Sequence, residues 1–368
     1  MRIWMIARDI QRHDAVGNFC RQIHAFLNAQ GYDVWMAAEN CHPDDRMSIA
    51  TLPQALAELA ADDPIMFHFS TSDPGFPAIA ALGNPKILYF HNITPARFFA
   101  GVDEQTASLV SMGLDQRSLA ARFDVLMANS RVSAKILHEG LAPADQQRIG
   151  KSDIVDCPPI IGLERWAGIE EESVAMPVDS RTALYVGRLF PHKGVLQLIE
   201  GFAVLAARAP RVRLLCVGGS GISSYKSVLM ARIAELESSI AQRVEFLTDI
   251  SDGALKSIYK RAGACVSMSF HEGFGVPLVD ALVFDKPLVI HAEAGMIETV
   301  GDAAIIIDDP TPGAIADALA AALDDEATRQ RLAAARSMRL DRLRRLADGH
   351  LILDAVNRAR TLHRARIV

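Results

Sequence analysis

Residues 183–194 read Ala183-Leu184-Tyr185-Val186-Gly187-Arg188-Leu189-Phe190-Pro191-His192-Lys193-Gly194. The apolar run Ala183–Val186 does not alternate with polar residues, which is the pattern of a strand covered on both faces. Gly187 ends it and lets the chain turn, and Gly194 opens the helical stretch that follows. Strand, glycine turn and helix make the first part of a βα unit, so a parallel sheet is expected. Arg188 and Lys193 then fall at the carboxyl edge of that sheet, where open α/β folds bind their ligands. Two cations beside a helix N-terminus can neutralise a diphosphate without a metal; the plainer alternative is a pair of solvated surface charges.

The same alternation extends in both directions. Before it come the apolar runs Ile3–Ala7, Val34–Ala38, Ile65–Phe69, Ile87–Phe90, Val125–Ala128 and Ile154–Cys157. After it come Leu214–Val217, Val244–Leu247, Ala264–Met268, Leu288–Ile290 and Ala304–Ile307. The stretches between them are long enough for crossover helices. The pattern predicts an α/β chain of two Rossmann-like doubly wound domains. A break falls at residues 158–180, where Pro158, Pro159, Gly162, Gly168, Pro177 and the acidic cluster Glu170-Glu171-Glu172 resist regular structure. The expected division is a first domain over 1–165, a linker over 166–180 and a second domain over 181–345. A basic helix over 346–368 is expected to pack back on the first domain.

Composition narrows the class. A chain of 368 residues suits two domains, and 50% hydrophobic with 22% charged residues excludes a disordered chain, a collagen and a coiled coil. A net charge of −6 argues against a nucleic-acid binder. The five cysteines, Cys20, Cys41, Cys157, Cys216 and Cys265, are scattered without a CxxC, which argues against disulfide frameworks and zinc sites and for a reducing, cytoplasmic setting. No apolar run approaches the length of a membrane span, and the N-terminus reads as a strand. Residues 329–368 hold eleven arginines and three acids. Leu343, Leu346, His350, Leu353, Val356 and Ala359 recur there at helical spacing. Two readings stay open: a helix face packed on the acidic body, or attraction to anionic lipid headgroups at the inner face of a membrane.

Three further segments carry candidate chemistry. The loop Arg8–Asn18 follows the first strand, and Gly17 meets the start of a helix, where free backbone N–H groups favour an anion; any βα turn can carry such a glycine. GxGxxG is absent from this loop, which argues against a nicotinamide dehydrogenase. In Phe270-His271-Glu272-Gly273-Phe274-Gly275-Val276-Pro277-Leu278-Val279-Asp280, Gly273 and Gly275 leave backbone N–H groups open to phosphate oxygens, and Pro277 suits a first helical turn. Glu272 and Asp280, one on the loop and one on the helix, are placed to grip sugar and ribose hydroxyls; for Glu272 the alternative is a carboxylate serving the helix dipole. In Tyr89-Phe90-His91-Asn92-Ile93-Thr94-Pro95, His91 ends a strand at the carboxyl edge, with a structural imidazole as the alternative. No DxD pattern of a metal-dependent transferase occurs, and no residue stands out as a covalent nucleophile.

Taken together, Gly187–Gly194 and Glu272–Asp280 resemble the family 4 retaining glycosyltransferases of the GT-B fold, over essentially the whole chain. The resemblance implies two Rossmann-like domains facing a cleft that closes about the linker, with a nucleotide-sugar donor held by the second. It assigns Arg188 and Lys193 to the leaving diphosphate, and Glu272 to the transferred sugar. Gly273, Phe274, Gly275 and Val276 become the loop beneath sugar and phosphates; Thr248, Asp249 and Ile250 cup the base; Gly17 belongs to a loop closing over the diphosphate. His91 lies beside the donor sugar. Asp280 stands where the family has a second Glu binding the ribose, one methylene shorter. The string from His91 to Pro95 resembles bacterial mannosyl- and rhamnosyltransferases of cell-surface polysaccharide synthesis. The expected reaction is a metal-independent, retaining hexosyl transfer, with no cofactor. The donor is GDP-mannose or a UDP-sugar, and the acceptor a saccharide or polyprenyl-diphosphate-linked saccharide. A nucleotide-sugar epimerase and a silent nucleotide-sugar-binding subunit are the competing readings.

Overall fold

The first sheet consists of β1 (Arg2–Ile10), β2 (Asp33–Cys41), β3 (Ile49–Ala50), β4 (Ile65–Phe69), β5 (Lys86–Phe90), β6 (Val125–Ala128) and β7 (Ile154–Asp156). The second consists of β8 (Thr182–Val186), β9 (Arg213–Val217), β10 (Val244–Leu247), β11 (Ala264–Ser267), β12 (Leu288–His291) and β13 (Ile305–Ile307). These elements come from a computed structural model that describes residues 1–12, 14–160, 165–219 and 221–367. His13 of the first loop and Gly162 of the expected break lie outside the described residues.

The strand orders are β3-β2-β1-β4-β5-β6-β7 and β10-β9-β8-β11-β12-β13, and all the pairings are parallel. Each sheet starts in its middle and winds outward both ways. The order reverses between β1 and β4 in one and between β8 and β11 in the other. At such a reversal the loops leave the carboxyl edge in opposite directions and open a crevice. The segments after β1, β8 and β11 are therefore those that the topology places at ligand-binding positions.

Strand β1 runs three residues beyond the apolar stretch, because Asp9 and Ile10 continue its pairing with Asn40 and Cys41 of β2. No apolar run announces β3, a two-residue edge strand beside Met36 and Ala37. Its residues are too few to show a period. The helix Ala15–Ala29 buries Phe19, Cys20, Ile23 and Leu27 on the first sheet, a spacing that places them along one face. On the same core lies the helix His350–Ile367, through Ile352, Ala355, Val356 and Ala359. All five cysteines are buried free thiols. Burial pushes the thiols of Cys20, Cys157, Cys216 and Cys265 well above their ordinary range, so they behave as small apolar residues.

The chain forms two compact units: Met1–Arg97 with Gln105–Gly162 and Arg345–Val368, and Phe98–Glu104 with Leu163–Arg344. This differs from the expected division in two places. Residues 166–180 are not a linker but part of the second unit. Trp166 is buried between Tyr259 and Phe284, at ring distances of 6.0 and 5.1 Å. Lys256 donates to the carbonyls of Trp166 and Ile169, Lys260 pairs with Glu171, and Ser251 donates to Glu172. Prolines and acids were read as a sign of loose chain; side-chain partners from one helix hold them instead. Phe98–Glu104, expected in the first domain, also belongs to the second unit. Phe99 lies edge-on to Phe190 and His192, at 6.1 and 5.7 Å.

Candidate active site

The loop after β8 is shaped by backbone geometry before any side chain acts. Residues Pro191–Lys193 form a single 3-10 turn, and Gly194 follows in the left-handed region at φ 66°. A Cβ at Gly194 would sit 2.0 Å from the carbonyl oxygen of Met268, so only glycine lets this loop close on the end of β11. A second tie is the N–H of Phe270, which donates to the carbonyl of His192 at 2.7 Å. These two contacts bring the β8 and β11 loops together at the point where the strand order reverses.

Two of the expected residues meet there. Lys193 Nζ donates to Glu272 Oε2 at 2.5 Å, each side chain 19% exposed. Arg188 is exposed, with its guanidinium carbon 4.5 Å from the ring centre of Phe190 and its carbonyl held by the Tyr185 hydroxyl at 3.0 Å. The cationic head thus rests on an aromatic face and keeps its N–H groups outward. His192 between them is buried. Desolvation first, then the charge of Lys193, pushes its imidazole down to about 2. It is a neutral packing group at any working pH.

On the β11 side, Gly273 and Phe274 lead into Gly275, which precedes the helix Val276–Val283. Thr299 Oγ1 donates to the Phe274 carbonyl and pins the loop. Sequence reasoning missed Glu293. Its carboxylate caps the helix Ala294–Val300 by accepting from the Met296 N–H at 3.0 Å. Burial raises its pKa, and the neighbouring charge of Glu272 adds to the rise. The missed signal was an acid directly ahead of a glycine-containing helix start, which is an N-cap position.

Asp280 has partners within the protein that sequence reasoning did not foresee. Its side chain is 5% exposed. Arg165 Nη2 donates to one oxygen at 2.7 Å and Trp166 Nε1 to the other at 2.9 Å. Burial pushes its carboxyl upward against the pull of Arg165 and the indole N–H. Both oxygens accept from the protein, so Asp280 fastens residues 165–166 to the helix Val276–Val283, a structural role that the resemblance did not imply.

Thr248, Asp249 and Ile250 follow β10 at the carboxyl edge of the same sheet. Asp249 is exposed with φ 56°, turning the chain toward the helix Asp252–Arg261, while Ile250 packs beneath. The edge strand lies two positions from β8, so these residues share the sheet edge with Arg188 and Lys193 without touching them.

In the first unit, Gly17 lies one turn into the helix Ala15–Ala29, where a Cβ would fall 2.1 Å from the Gln11 carbonyl oxygen. Its N–H and that of Val16 both donate to Asp14 Oδ2 at 3.1 Å. The glycine is thus required for close packing of the loop, and these two amides already have an anionic partner, contrary to the expectation of amides free for a phosphate. His91 extends β5, its N–H donating to Phe69 and its carbonyl accepting from Asn129 Nδ2 at 3.0 Å. Asn92 follows in the left-handed region at φ 73°, which asparagine tolerates, and turns the chain off the sheet. The half-buried ring of His91 has a partner that sequence reasoning overlooked: its Nε2 lies 2.9 Å from Nδ1 of His68 on β4. A histidine inside the wholly apolar run Ile65–Phe69 was the available signal, since a buried polar group calls for a partner.

Among the described residues, no group of three or more His, Cys, Asp or Glu is placed to hold a metal ion, and no helix is long and apolar enough to cross a membrane.

Comparison with known proteins bears on the second unit first. Residues 169–337 match the family model of the glycosyl transferases group 1. The D-inositol 3-phosphate glycosyltransferase of Corynebacterium efficiens is 27% identical over 256 residues, which is 67% of this chain and 59% of that one. The chain therefore spans about three fifths of the length of that relative. The mannosylfructose-phosphate synthase of Agrobacterium fabrum is 31% identical over 125 residues, 33% of this chain and 28% of that one. In fold, the HepE protein of Anabaena, crystallised with UDP and glucose, aligns over 97% of this chain and 99% of its own with a TM-score of 0.74 at 16% identity. The two Rossmann-like parallel sheets are thus the α/β architecture of GT-B proteins, and the second of them carries the sequence pattern of the glycosyl transferases group 1.

Proposed function

We propose that the chain is a retaining glycosyltransferase that moves a hexosyl group from a nucleotide sugar to a saccharide or lipid-linked saccharide, without a metal or other cofactor. The observation that carries this reading is the Lys193–Glu272 contact beside Arg188, at the strand reversal of the second sheet. In the free protein Lys193 has its charge matched by Glu272. A donor exchanges that pair: the diphosphate takes the ammonium of Lys193, and Glu272 turns to a hydroxyl of the sugar. Charge then develops on the phosphate oxygen as the bond to the anomeric carbon breaks, and Arg188, Lys193 and the amides of Gly273–Val276 are positioned to stabilise it. The acceptor oxygen bonds to the same face of the anomeric carbon, and its proton passes to the leaving phosphate. Glu272 orients the transferred sugar, and His91 is the group of the first unit that we assign to a sugar hydroxyl. Water is excluded as the site closes.

GDP-mannose is the donor we favour, supported by the residues His91–Pro95 and by the likeness to a mannosylfructose-phosphate synthase. A UDP-hexose is the second reading, supported by the fold shared with a protein crystallised with UDP and glucose. Lipid-linked acceptors would bring the enzyme to the inner face of a membrane, where the arginines of residues 329–368 suit anionic headgroups.

The test is thermal shift of the chain with GDP, UDP, ADP and dTDP and their sugars, with and without EDTA, followed by transfer assays with the donor that binds. A ligand at about 100 times its dissociation constant adds about 2.7 kcal/mol. A shift specific to one base and indifferent to EDTA supports the reading. No shift with any donor would overturn it. Binding without turnover on any acceptor would favour a silent nucleotide-sugar-binding subunit, and acceptor-free conversion of the sugar would favour an epimerase.

A further inference from the structure

His68 lies in the middle of β4, 1% exposed, and its Nδ1 is 2.9 Å from Nε2 of His91. The two rings are nearly parallel, with centres 5.2 Å apart. Phe19 stands edge-on to both, at 5.9 and 5.6 Å, and Tyr89 lies 5.7 and 4.7 Å from them. The Tyr89 hydroxyl does not serve the pair; it donates to the Cys157 carbonyl. Among the described residues, the imidazoles therefore sit in an aromatic box with each other as their hydrogen-bond partners.

Burial favours the neutral form of both rings. Burial pushes His68 down to about 3, and burial together with His68 pushes His91 well below its ordinary value. Two neutral imidazoles sharing one hydrogen bond have two arrangements. In one, His91 Nε2–H donates to His68 Nδ1, and the proton of His68 then sits on its Nε2. That atom is buried and has no hydrogen-bond partner among the described residues. An orphaned buried N–H is the rarer and costlier state. In the other, His68 Nδ1–H donates to His91 Nε2, His68 Nε2 is a bare acceptor, and the proton of His91 sits on Nδ1. The second arrangement leaves no donor stranded.

We propose that His68 is a positioning residue that fixes the tautomer of His91, so that His91 presents Nδ1–H as a hydrogen-bond donor to a hydroxyl oxygen of the transferred sugar. The sugar-facing part of this rests on the glycosyltransferase reading above. The nitrogen of His91 that faces His68 cannot serve a ligand, and Nδ1 carries no hydrogen bond among the described residues. A donor at that nitrogen suits a hydroxyl group and does not suit an N–H of a base. Through His68 the sheet core, and not the solvent, determines which atom of His91 bears hydrogen.

The test uses the full chain with ¹⁵N-labelled histidine, comparing wild type with His68→Leu and His68→Asn. Asparagine offers an N–H near the position of Nδ1, with its amide oxygen near that of Cδ2 and no nitrogen at the place of Nε2. Three measurements are made: the ¹⁵N spectrum of His91, the affinity for GDP and UDP, and kcat and KM with the donor that binds. We expect wild type to show His91 protonated on Nδ1 and the Leu variant to show a mixture of tautomers. The Leu variant is expected to lose about tenfold or more in kcat, with nucleotide affinity unchanged within about twofold. The Asn variant is expected to regain both the tautomer and most of the rate. A wild-type spectrum with His91 protonated on Nε2 overturns the proposal, as does an Asn variant no better than Leu with both folded. If wild type transfers no sugar yet shows the Nδ1–H tautomer, and the Leu variant loses it, the link between the histidines stands and the glycosyltransferase reading falls.

Discussion

Lys193 Nζ and Glu272 Oε2, 2.5 Å apart, join the loop after β8 to the loop after β11. Each side chain keeps about a fifth of its surface in water, 19% in both cases. A pair that keeps this much contact with water costs less to break than a fully buried one, for which losing one partner costs about 3–5 kcal/mol. It is a contact that can be exchanged for a ligand at small cost.

Lys193→Ala is therefore expected to abolish transfer while leaving the fold intact. Circular dichroism and thermal melting should differ little from wild type, and kcat should fall by about a hundredfold or more. Full activity in this variant would remove Lys193 from the site.

Asp280 should behave in the opposite way. Its removal strands the Arg165 guanidinium and the buried Trp166 N–H, both of which it now accepts from. Asp280→Ala is expected to cost about 3 kcal/mol, because one partner of a largely buried pair is lost. Denaturant titration measures this. Calorimetry on the folded variant should give an affinity for the donor nucleotide within about threefold of wild type, scarcely 0.7 kcal/mol. A large loss of affinity with little loss of stability would return Asp280 to a ribose-binding role.

Stability is expected to fall with acid through the buried histidines. His68 and His192 have folded values pushed down to about 3 and about 2, while the unfolded value is about 6.5. Between those limits the unfolded chain binds protons that the native chain refuses, so stability is fully present above about pH 6.5 and is lost as pH falls. Each such histidine contributes a slope of about 1.4 kcal/mol per pH unit. Chemical denaturation from pH 7 to pH 5 should show the decline, and His68→Asn should reduce it by one histidine's share.

Gly194→Ala is expected to destabilise the chain by about 2 kcal/mol or more and to reduce transfer with it. The new Cβ would meet the Met268 carbonyl at 2.0 Å on a backbone with φ 66°. Because this glycine couples the β8 loop to β11, activity should fall further than the melting temperature alone accounts for.

The strands of both sheets were readable because parallel strands covered on two faces appear as unbroken apolar runs, and twelve of the thirteen were visible in that way. The loops at their carboxyl ends were readable for the same reason: glycines and charges punctuate the runs. Some partnerships were not readable. Nothing local connects Asp280 to Arg165 and Trp166, which are 115 and 114 residues away, nor His68 to His91 across two strands. Residues 166–180 misled because proline and acid report what a segment does alone, while Trp166 reports what it packs on. An indole amid such residues was the clue to burial.

The arrangement of the first sheet has a consequence for synthesis. Its core is completed by Ile352, Ala355, Val356 and Ala359 from the helix His350–Ile367, while its strands lie within residues 2–156. A ribosome delivers those strands first and the helix that covers them only after the whole second unit has emerged. The part of that core not covered by the helix Ala15–Ala29 must wait for nearly two hundred residues, since β7 ends at Asp156 and the later helix begins at His350. The second unit meets no such delay, because Phe98–Glu104 is already made when Leu163–Arg344 appears. The core of the first unit is thus complete only once the helix His350–Ile367 has been made.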